Sequence, residues 1–160
     1  MPRIIKNHAV IDDPWTLITA PDWEPSSGSG SHILPVELWL RHHASLETHT
    51  GVWLNSDEHP EIIHEYVDQL PLIAINFPDF TDGRGYSYAR ILRDQFGYRG
   101  ELRAIGDILQ DQLHYLYRCG FDAFAIRSDK DPEQALAGLT DFSHSYQAAY
   151  RTFGTALVMR

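Results

Sequence analysis

The segment DGRGYSYAR, residues 82–90, places an arginine between two glycines, directly before a pattern typical of a helix. The glycines permit backbone angles and close approaches that other residues resist. Unpaired N–H groups at the start of a helix attract anions, and Arg84 would add a positive charge beside them. The segment therefore predicts an anion-binding turn, or alternatively a tight corner in which Arg84 pairs with Asp79 or Asp82.

Neither of the two common nucleotide-binding motifs fits this segment. It lacks the third glycine of the G-x-G-x-x-G pattern and the Gly-Lys-Ser/Thr of a P-loop. The following helix would be capped by Ser87 and would carry Tyr86 and Arg90 on one face. Farther along the chain, the alternation of strand side chains leaves open which face of the sheet Arg103 takes. The candidate ligand-binding residues are Asp82, Arg84, Gly85, Tyr86, Ser87, Arg90 and Arg103.

Asp107 is the candidate catalytic residue. It follows Gly106 at the end of the apolar segment ELRAIG, so it would either cap the next helix or face a ligand as an acid or base. We predict no metal site, because the nine histidines form neither the H-E-x-x-H spacing nor a Cys/His pattern. Cys119, the single cysteine, is predicted to be structural. The motifs leave any cofactor unknown.

The charge distribution limits the classes of ligand. A formal net charge of −9 argues against nucleic-acid binding, which normally requires a basic face. Seven arginines nevertheless fall between Arg84 and Arg127, and the planar guanidinium suits phosphate, sulfate or sulfite oxygens. A GC-rich genome would also favour arginine over lysine. No apolar run reaches the roughly 18 residues that cross a bilayer, and the start lacks a signal peptide, so we expect a cytoplasmic protein.

The chain divides near residue 50. Residues 1–50 are predicted to form an N-terminal extension in which residues 21–32, rich in Pro, Ser and Gly, form an exposed loop or a flexible linker. Residues 51–160 are predicted to form a domain of repeated βα units, because short apolar segments alternate with helical patterns. The predicted strands are GVWLN, PLIAINF, ELRAIG and FDAFAIR. The predicted helices are HPEIIHEYVDQL, with Pro60 near its start, YSYARILRDQFG, DILQDQLHYLYRCG, with Gly120 at its end, and DPEQALAGLTDF over residues 131–142. The expected fold class is α/β, with the units forming either a small open parallel sheet or a half-barrel-like arc.

In both kinds of parallel sheet, ligands bind at the carboxyl ends of the strands. A small-molecule site should therefore lie at this edge. The polar residues predicted there are Asn55, Asp57, Glu58, Asp79, Asp82, Arg84, Gly106, Asp107, Arg127, Ser128 and Asp129.

The phrases FPDFTDGRGYS, GELRAIGD and RCGFDAF lie in a long block that resembles the defining region of a bacterial family of unknown function. The upstream DDPW, LPVELWL and GVWLNSDE resemble the corresponding family segments. Members are commonly encoded beside the assimilatory sulfite reductase and are sometimes labelled oxidoreductases of sulfite reduction. The family's most recognisable residues here include Asp82, Arg84, Tyr86, Ser87, Arg90, Glu101, Arg103, Asp107, Asp111, Gln112, Arg118 and Asp122.

Three functional hypotheses follow. The resemblance implies an accessory factor in sulfite reduction that binds sulfite reductase or its electron donor. The residues are also compatible with a small enzyme or sensor that binds a sulfur or phosphate oxyanion through Arg84, Arg90 and Arg103, with Asp107 as acid or base. The third hypothesis is a homo-oligomeric scaffold without a ligand, because a half-barrel arc leaves edges that a partner could close. Neither a nucleic acid nor a membrane is an expected partner.

Overall fold

One sheet of eight strands organises the chain in the computed structural model, which describes residues 2–25, 30–46 and 49–139. The strands lie in the order β2-β1-β8-β7-β6-β5-β4-β3. Neighbours from β3 to β8 are parallel, whereas β1 runs antiparallel to β2 and β8. The strand bounds are β1 Arg3–Lys6, β2 Ala9–Asp12, β3 Trp15–Leu17, β4 Ser31–Pro35, β5 Thr50–Leu54, β6 Leu72–Phe77, β7 Glu101–Gly106 and β8 Ala123–Phe124.

The strand order identifies the architecture. From β3 to β8, each strand lies beside the one that precedes it in the chain, and the order never reverses. A doubly wound sheet requires such a reversal. An unbroken parallel series with right-handed crossovers instead places its helices on one face and curls. The predicted α/β fold is therefore confirmed, and of the two predicted sheet forms the chain has the half-barrel arc.

The two edge strands of the sheet, β2 and β3, are consecutive in the chain. Only Asp13 and Pro14 separate Asp12, the end of β2, from Trp15, the start of β3. Three Cα–Cα steps span at most about 11 Å, so the sheet must curl far enough to bring these two strand ends close together. The four strands from the first 50 residues thus belong to the same sheet as the later βα units.

Short helices fill the connections. A 3₁₀ helix begins with Pro60 at its first turn, and Gly120, with a φ of 118°, ends another helix, as the sequence predicts. None of the helices among the described residues is long and apolar enough to cross a bilayer. The bounds are α1 Val36–His42, the 3₁₀ helix Pro60–Gln69, α2 Arg84–Arg90 continued by a π-turn over Ile91–Gln95, a 3₁₀ turn Gln110–Gln112, α3 Leu113–Cys119, and α4 over residues 132–139.

Two predicted segments extend beyond the described residues. The loop predicted over residues 21–32 includes residues 26–29, which lie outside the described part, and β4 already begins at Ser31. The helix predicted from residue 131 to residue 142 is described only as far as residue 139.

The helices pack on one face of the sheet and form the main core there. Ile73 and Ile75 of β6 are fully buried in this core together with Ala89 and Leu92 of the helix that follows. The opposite face carries a smaller buried cluster of Ile33, Leu72, Ala74 and Ile105, against which Trp15 and Trp53 pack. Strands buried on both faces explain the continuous apolar runs in the sequence.

Arg103 lies on the face opposite the helices, since its register partner Ala74 belongs to that smaller cluster. The side chain of Arg103 is only 2% exposed. It donates to Asp13 Oδ2 at 2.9 Å and to Glu101 Oε2 at 2.8 Å, and Lys6 Nζ lies 2.7 Å from Glu101 Oε1. Two cations therefore balance two carboxylates inside the curl. Because Asp13 belongs to the connection between the edge strands, this network fastens β7 to that connection.

Candidate functional site

The loops that follow β5, β6, β7 and β8 lie side by side at one edge of the sheet. Asn76 Nδ2 donates to Asn55 Oδ1 at 3.0 Å. The backbone N–H of Phe80 donates to Asp107 Oδ2 at 3.2 Å, and Arg127 Nη1 donates to Asp107 Oδ1 at 3.1 Å. The predicted edge is thus one connected surface. We call it the strand-end surface and define it as residues 55–58, 78–84, 106–112 and 127–133.

Arg84 forms a two-pronged ion pair on this surface. Its Nε donates to Asp82 Oδ1 at 3.1 Å, and its Nη2 donates to Asp82 Oδ2 at 2.8 Å. The same Nη2 donates to the Ser56 hydroxyl at 2.9 Å, which joins the loop after β6 to the loop after β5. The sequence predicted either Asp79 or Asp82 as the partner of Arg84, and the observed partner is Asp82.

The electrostatics of this pair follow from its hydrogen bonds. The Arg84 guanidinium, and then the Arg84 backbone N–H, hold the pKa of the Asp82 carboxyl well below its usual range. The same contact raises the pKa of Arg84. Both groups are therefore charged at every physiological pH. The Arg84 side chain remains 56% exposed, whereas that of Asp82 is 14% exposed.

The two glycines on either side of Arg84 differ in whether the surrounding structure requires glycine. A Cβ atom on Gly85 would lie 2.5 Å from the ring of Phe77, so glycine is what allows α2 to approach β6 closely. A Cβ atom on Gly83 would meet nothing within 4 Å, and the φ of Gly83 is −86°, which any residue can adopt. Close packing therefore requires glycine at position 85, whereas neither packing nor backbone angle requires it at position 83.

The prediction that Ser87 caps the helix is wrong. The helix begins at Arg84, which places the exposed Ser87 inside it. Asp82 instead accepts the Arg84 backbone N–H at 3.1 Å, close to the start of the helix. Asp82 thereby satisfies one of the backbone donors that a helix start leaves unpaired.

Tyr86 is packed between the helices. Its ring meets those of Phe77 and Tyr115, at centroid distances of 5.3 and 4.8 Å. Gln112 Nε2 donates to the Tyr86 hydroxyl at 3.0 Å and to the Phe80 carbonyl at 3.1 Å. Burial raises the pKa of Tyr86. These contacts connect α2, the loop after β6 and the 3₁₀ turn before α3.

Arg90 is not brought beside Arg84. Arg90 lies six positions after Arg84, a rise of about 9 Å along the helix axis. Arg90 Nε lies 3.3 Å from Asp94 Oδ2, and Arg90 Nη1 donates to the Arg118 carbonyl at 3.4 Å, near the end of α3. Arg103 lies inside the curl. Of the three arginines predicted to bind an oxyanion, only Arg84 therefore lies on the strand-end surface.

Asp107 does not cap the next helix, so that interpretation is wrong. The 3₁₀ turn there begins at Gln110 and is preceded by Leu109 in the capping position. Asp107 instead accepts hydrogen bonds from Phe80 and Arg127, and Arg127 Nε also donates to Asp129 Oδ1 at 3.2 Å. The carboxylate thus joins three loops of the strand-end surface.

Four residues of this network escaped the sequence-based candidate set. Asn76 is a polar residue within the apolar run LIAINF, which was a signal for a polar contact at the strand end. Gln112 was marked by the family resemblance alone. Ser56 and Phe80 carried no local signal. Ser56 is buried and its carbonyl accepts from the Tyr88 hydroxyl at 2.6 Å, a contact between residues 32 positions apart.

We searched residues 2–25, 30–46 and 49–139 for metal-binding groups and for a reactive thiol. In that part of the chain, no group of three or more His, Cys, Asp or Glu side chains is arranged to hold a metal ion. Cys119 is buried at the end of α3, and burial raises the pKa of its thiol. A raised pKa favours the protonated thiol, which is less nucleophilic than the thiolate.

The fold and the surface together define an α/β half-barrel protein whose strand carboxyl ends carry paired charges. The model of the family DUF934, a bacterial protein of unknown function, matches residues 51–155, which is more than half of the chain. The chain therefore belongs to this family, as its sequence resemblance indicates. A search of curated proteins found no match to the chain.

Proposed function

We propose that this protein is an accessory factor in assimilatory sulfite reduction, which acts by binding sulfite reductase or its electron donor. The observation that carries the proposal is the pairing of Arg84 with Asp82. Both guanidinium groups of the strand-end surface, Arg84 and Arg127, already have carboxylate partners. This pairing favours a surface that recognises another protein over a site that neutralises an oxyanion.

The family resemblance supports the choice of process. The resemblance implies that members are encoded beside the assimilatory sulfite reductase, and genes that lie together frequently serve one pathway. The paired charges of the strand-end surface support a protein-binding role, and the resemblance alone supplies the process, sulfite reduction.

A deletion strain tests this proposal. We expect slow growth and excreted sulfite when sulfate or sulfite is the sole sulfur source, and normal growth on sulfide or cysteine, which bypass the reductive step. The wild-type gene on a plasmid is the matched control. Normal growth and normal sulfite consumption on sulfate would contradict the proposal.

The second candidate is a small enzyme or sensor that binds a sulfur or phosphate oxyanion. The exposed guanidinium of Arg84 favours it, because the Ser56 hydroxyl lies 2.9 Å away and could share an anion with it. Such an anion would have to displace the Asp82 carboxylate from a two-pronged pair. Direct titration with oxyanions separates the two candidates.

A further inference from the structure

We propose that the strand-end surface docks a basic protein surface, with the exposed ring of Phe80 as its apolar anchor. This inference rests on the proposed function and specifies the chemistry of the partner. Three properties of the described residues carry it: two exposed aromatic rings, a local excess of carboxylates, and a rigid hydrogen-bonded base.

One exposed aromatic ring, that of Phe80, lies on the surface, and a second, that of Tyr115, lies beside it on α3. Among the described residues, four large apolar side chains stand out as exposed, and Phe80 at 51% and Tyr115 at 55% are the two most exposed of them. Two residues connect these rings. Gln112 donates to the Phe80 carbonyl and to the Tyr86 hydroxyl, and the Tyr86 ring packs on that of Tyr115. Aromatic residues surrounded by polar ones are typical of the energetically dominant centre of an interface.

The charge of the surface selects the partner. The strand-end surface carries nine carboxylates and three cationic side chains, a formal charge of −6 out of the −9 of the whole chain. The guanidinium groups of Arg84 and Arg127 are held by Asp82, Asp107 and Asp129. They therefore do not neutralise exposed carboxylates such as Asp111. Complementary potential favours a basic protein surface and repels nucleic acids and anionic lipid headgroups.

The base of the surface is preorganised. Asp107 accepts from the Phe80 backbone N–H, and Gln112 Nε2 donates to the Phe80 carbonyl, so both backbone groups of Phe80 are held. Asp79 accepts from the Thr81 backbone N–H at 2.9 Å and from its hydroxyl at 3.0 Å. An anchor on a fixed loop loses little conformational freedom on binding.

Site-directed photo-cross-linking in cells tests the inference with the full chain. A photoreactive phenylalanine analogue replaces Phe80, and the matched control carries the same analogue at Ile62, which is 44% exposed on the 3₁₀ helix. We expect one protein to be captured from position 80 and not from position 62 in cells grown on sulfate.

Charge reversal establishes whether the captured protein recognises the acidic surface. Asp57→Lys/Asp111→Lys changes two exposed residues of the strand-end surface, and Glu65→Lys/Asp68→Lys makes the same change in charge on the 3₁₀ helix. We expect the first pair to reduce the cross-link from position 80 by about tenfold, and the second pair to leave it within about twofold. When the cross-link is formed in a cell lysate, high salt should reduce the wild-type product in the same way.

The outcomes separate this inference from the proposed function. Absence of a position-80 product, equal products from positions 80 and 62, or a product insensitive to both charge reversal and salt overturns the docking surface. A cross-link to nucleic acid, to a second copy of the chain or to its own C-terminal part also overturns it. Salt-sensitive capture of a protein other than sulfite reductase or its electron donor supports the docking surface and contradicts the proposed function. Capture of sulfite reductase from position 62 alone supports the proposed function and contradicts the docking surface.

Discussion

The pair of Arg84 and Asp82 decides how the strand-end surface can act. The guanidinium lies in contact with both carboxylate oxygens and with the Ser56 hydroxyl. A charged group that is already paired in this way attracts a free anion less strongly than an unpaired arginine would. At the scale of single residues, the guanidinium donors of Arg84 are therefore already used by Asp82 and Ser56 of the same chain.

The Asp82 carboxyl predicts a pH dependence of folding. Its pKa in the folded state is lowered by Arg84, so the pair stabilises the fold fully above the unfolded-state pKa of about 3.9. This stabilisation is lost as the pH falls through the lower folded-state pKa. We expect the wild type to lose more free energy of unfolding than Asp82→Asn between about pH 5 and about pH 2, as measured by urea denaturation. Equal losses would show that the pair contributes nothing.

Gly85 and Gly83 provide a matched test of close packing. We expect Gly85→Ala to lower the free energy of unfolding by about 1–3 kcal/mol, because the new methyl group overlaps the Phe77 ring. Gly83→Ala should change it by less than about 1 kcal/mol, since the space there is open. The measurement is chemical denaturation of both variants, and similar values for the two would contradict the packing account.

At the scale of elements, Arg93 connects the π-turn after α2 to the segments that precede β7 and β8. Its Nε donates to the Gly120 carbonyl at 2.9 Å, and its Nη1 donates to the Tyr98 and Gly100 carbonyls at 2.8 and 2.9 Å. This arginine was counted in the sequence among the residues that skew the charge toward an oxyanion site. Its donors are instead engaged by backbone carbonyls.

We expect Arg93 and Arg90 to contribute different amounts to the free energy of unfolding. We expect Arg93→Ala to cost about 2–3 kcal/mol of stability, because three partly buried carbonyls lose a charged donor. Arg93→Lys should not restore it, since lysine lacks the planar fork. Arg90→Ala, which removes an exposed pair with Asp94, should cost less than about 1 kcal/mol. Thermal unfolding of the three variants measures this, and a larger effect at Arg90 would refute it.

The sequence predicted the central strands closely because they are apolar on both faces. GVWLN, PLIAINF and ELRAIG correspond to β5, β6 and β7 within one residue at each end. The caps were predicted less well. Ser87 and Asp107 were assigned from residue type, but capping depends on the residue at which a helix begins, and tertiary contacts set the starts at Arg84 and Gln110.

Long-range contacts of the site could not be read from local patterns. The alternation along ELRAIG left the direction of Arg103 open, and its partner Asp13 lies 90 positions earlier in the chain. Likewise, the bond from Arg84 to Ser56 spans 28 positions. Such contacts follow from the curl of the sheet and the pairing of distant strands, for which a single sequence carries no periodic signal.

At the scale of the whole molecule, the buried ion network of Asp13, Glu101, Arg103 and Lys6 holds the curl. Removing Arg103 would leave two carboxylates beside a single lysine in the interior. We therefore expect Arg103→Ala to lower the free energy of unfolding by about 3–5 kcal/mol. The control is Arg3→Ala, at an exposed pair with Glu133, which should cost less than about 1 kcal/mol. Comparable losses in urea denaturation would contradict the role of the network.

The half-barrel also determines where a partner can be met. Four parallel strand ends place their loops at one edge, and that edge collects most of the net negative charge of the chain. We propose that this edge recognises a protein and does not bind an oxyanion, because its arginines are already paired.

Isothermal titration calorimetry with sulfite, sulfate and phosphate tests this claim most directly, with Arg84→Ala as the comparison. We predict no heat of binding to the wild type at concentrations up to about 1 mM, which corresponds to a binding free energy weaker than about −4 kcal/mol. One-to-one binding of any of these anions that is abolished by Arg84→Ala would contradict the account.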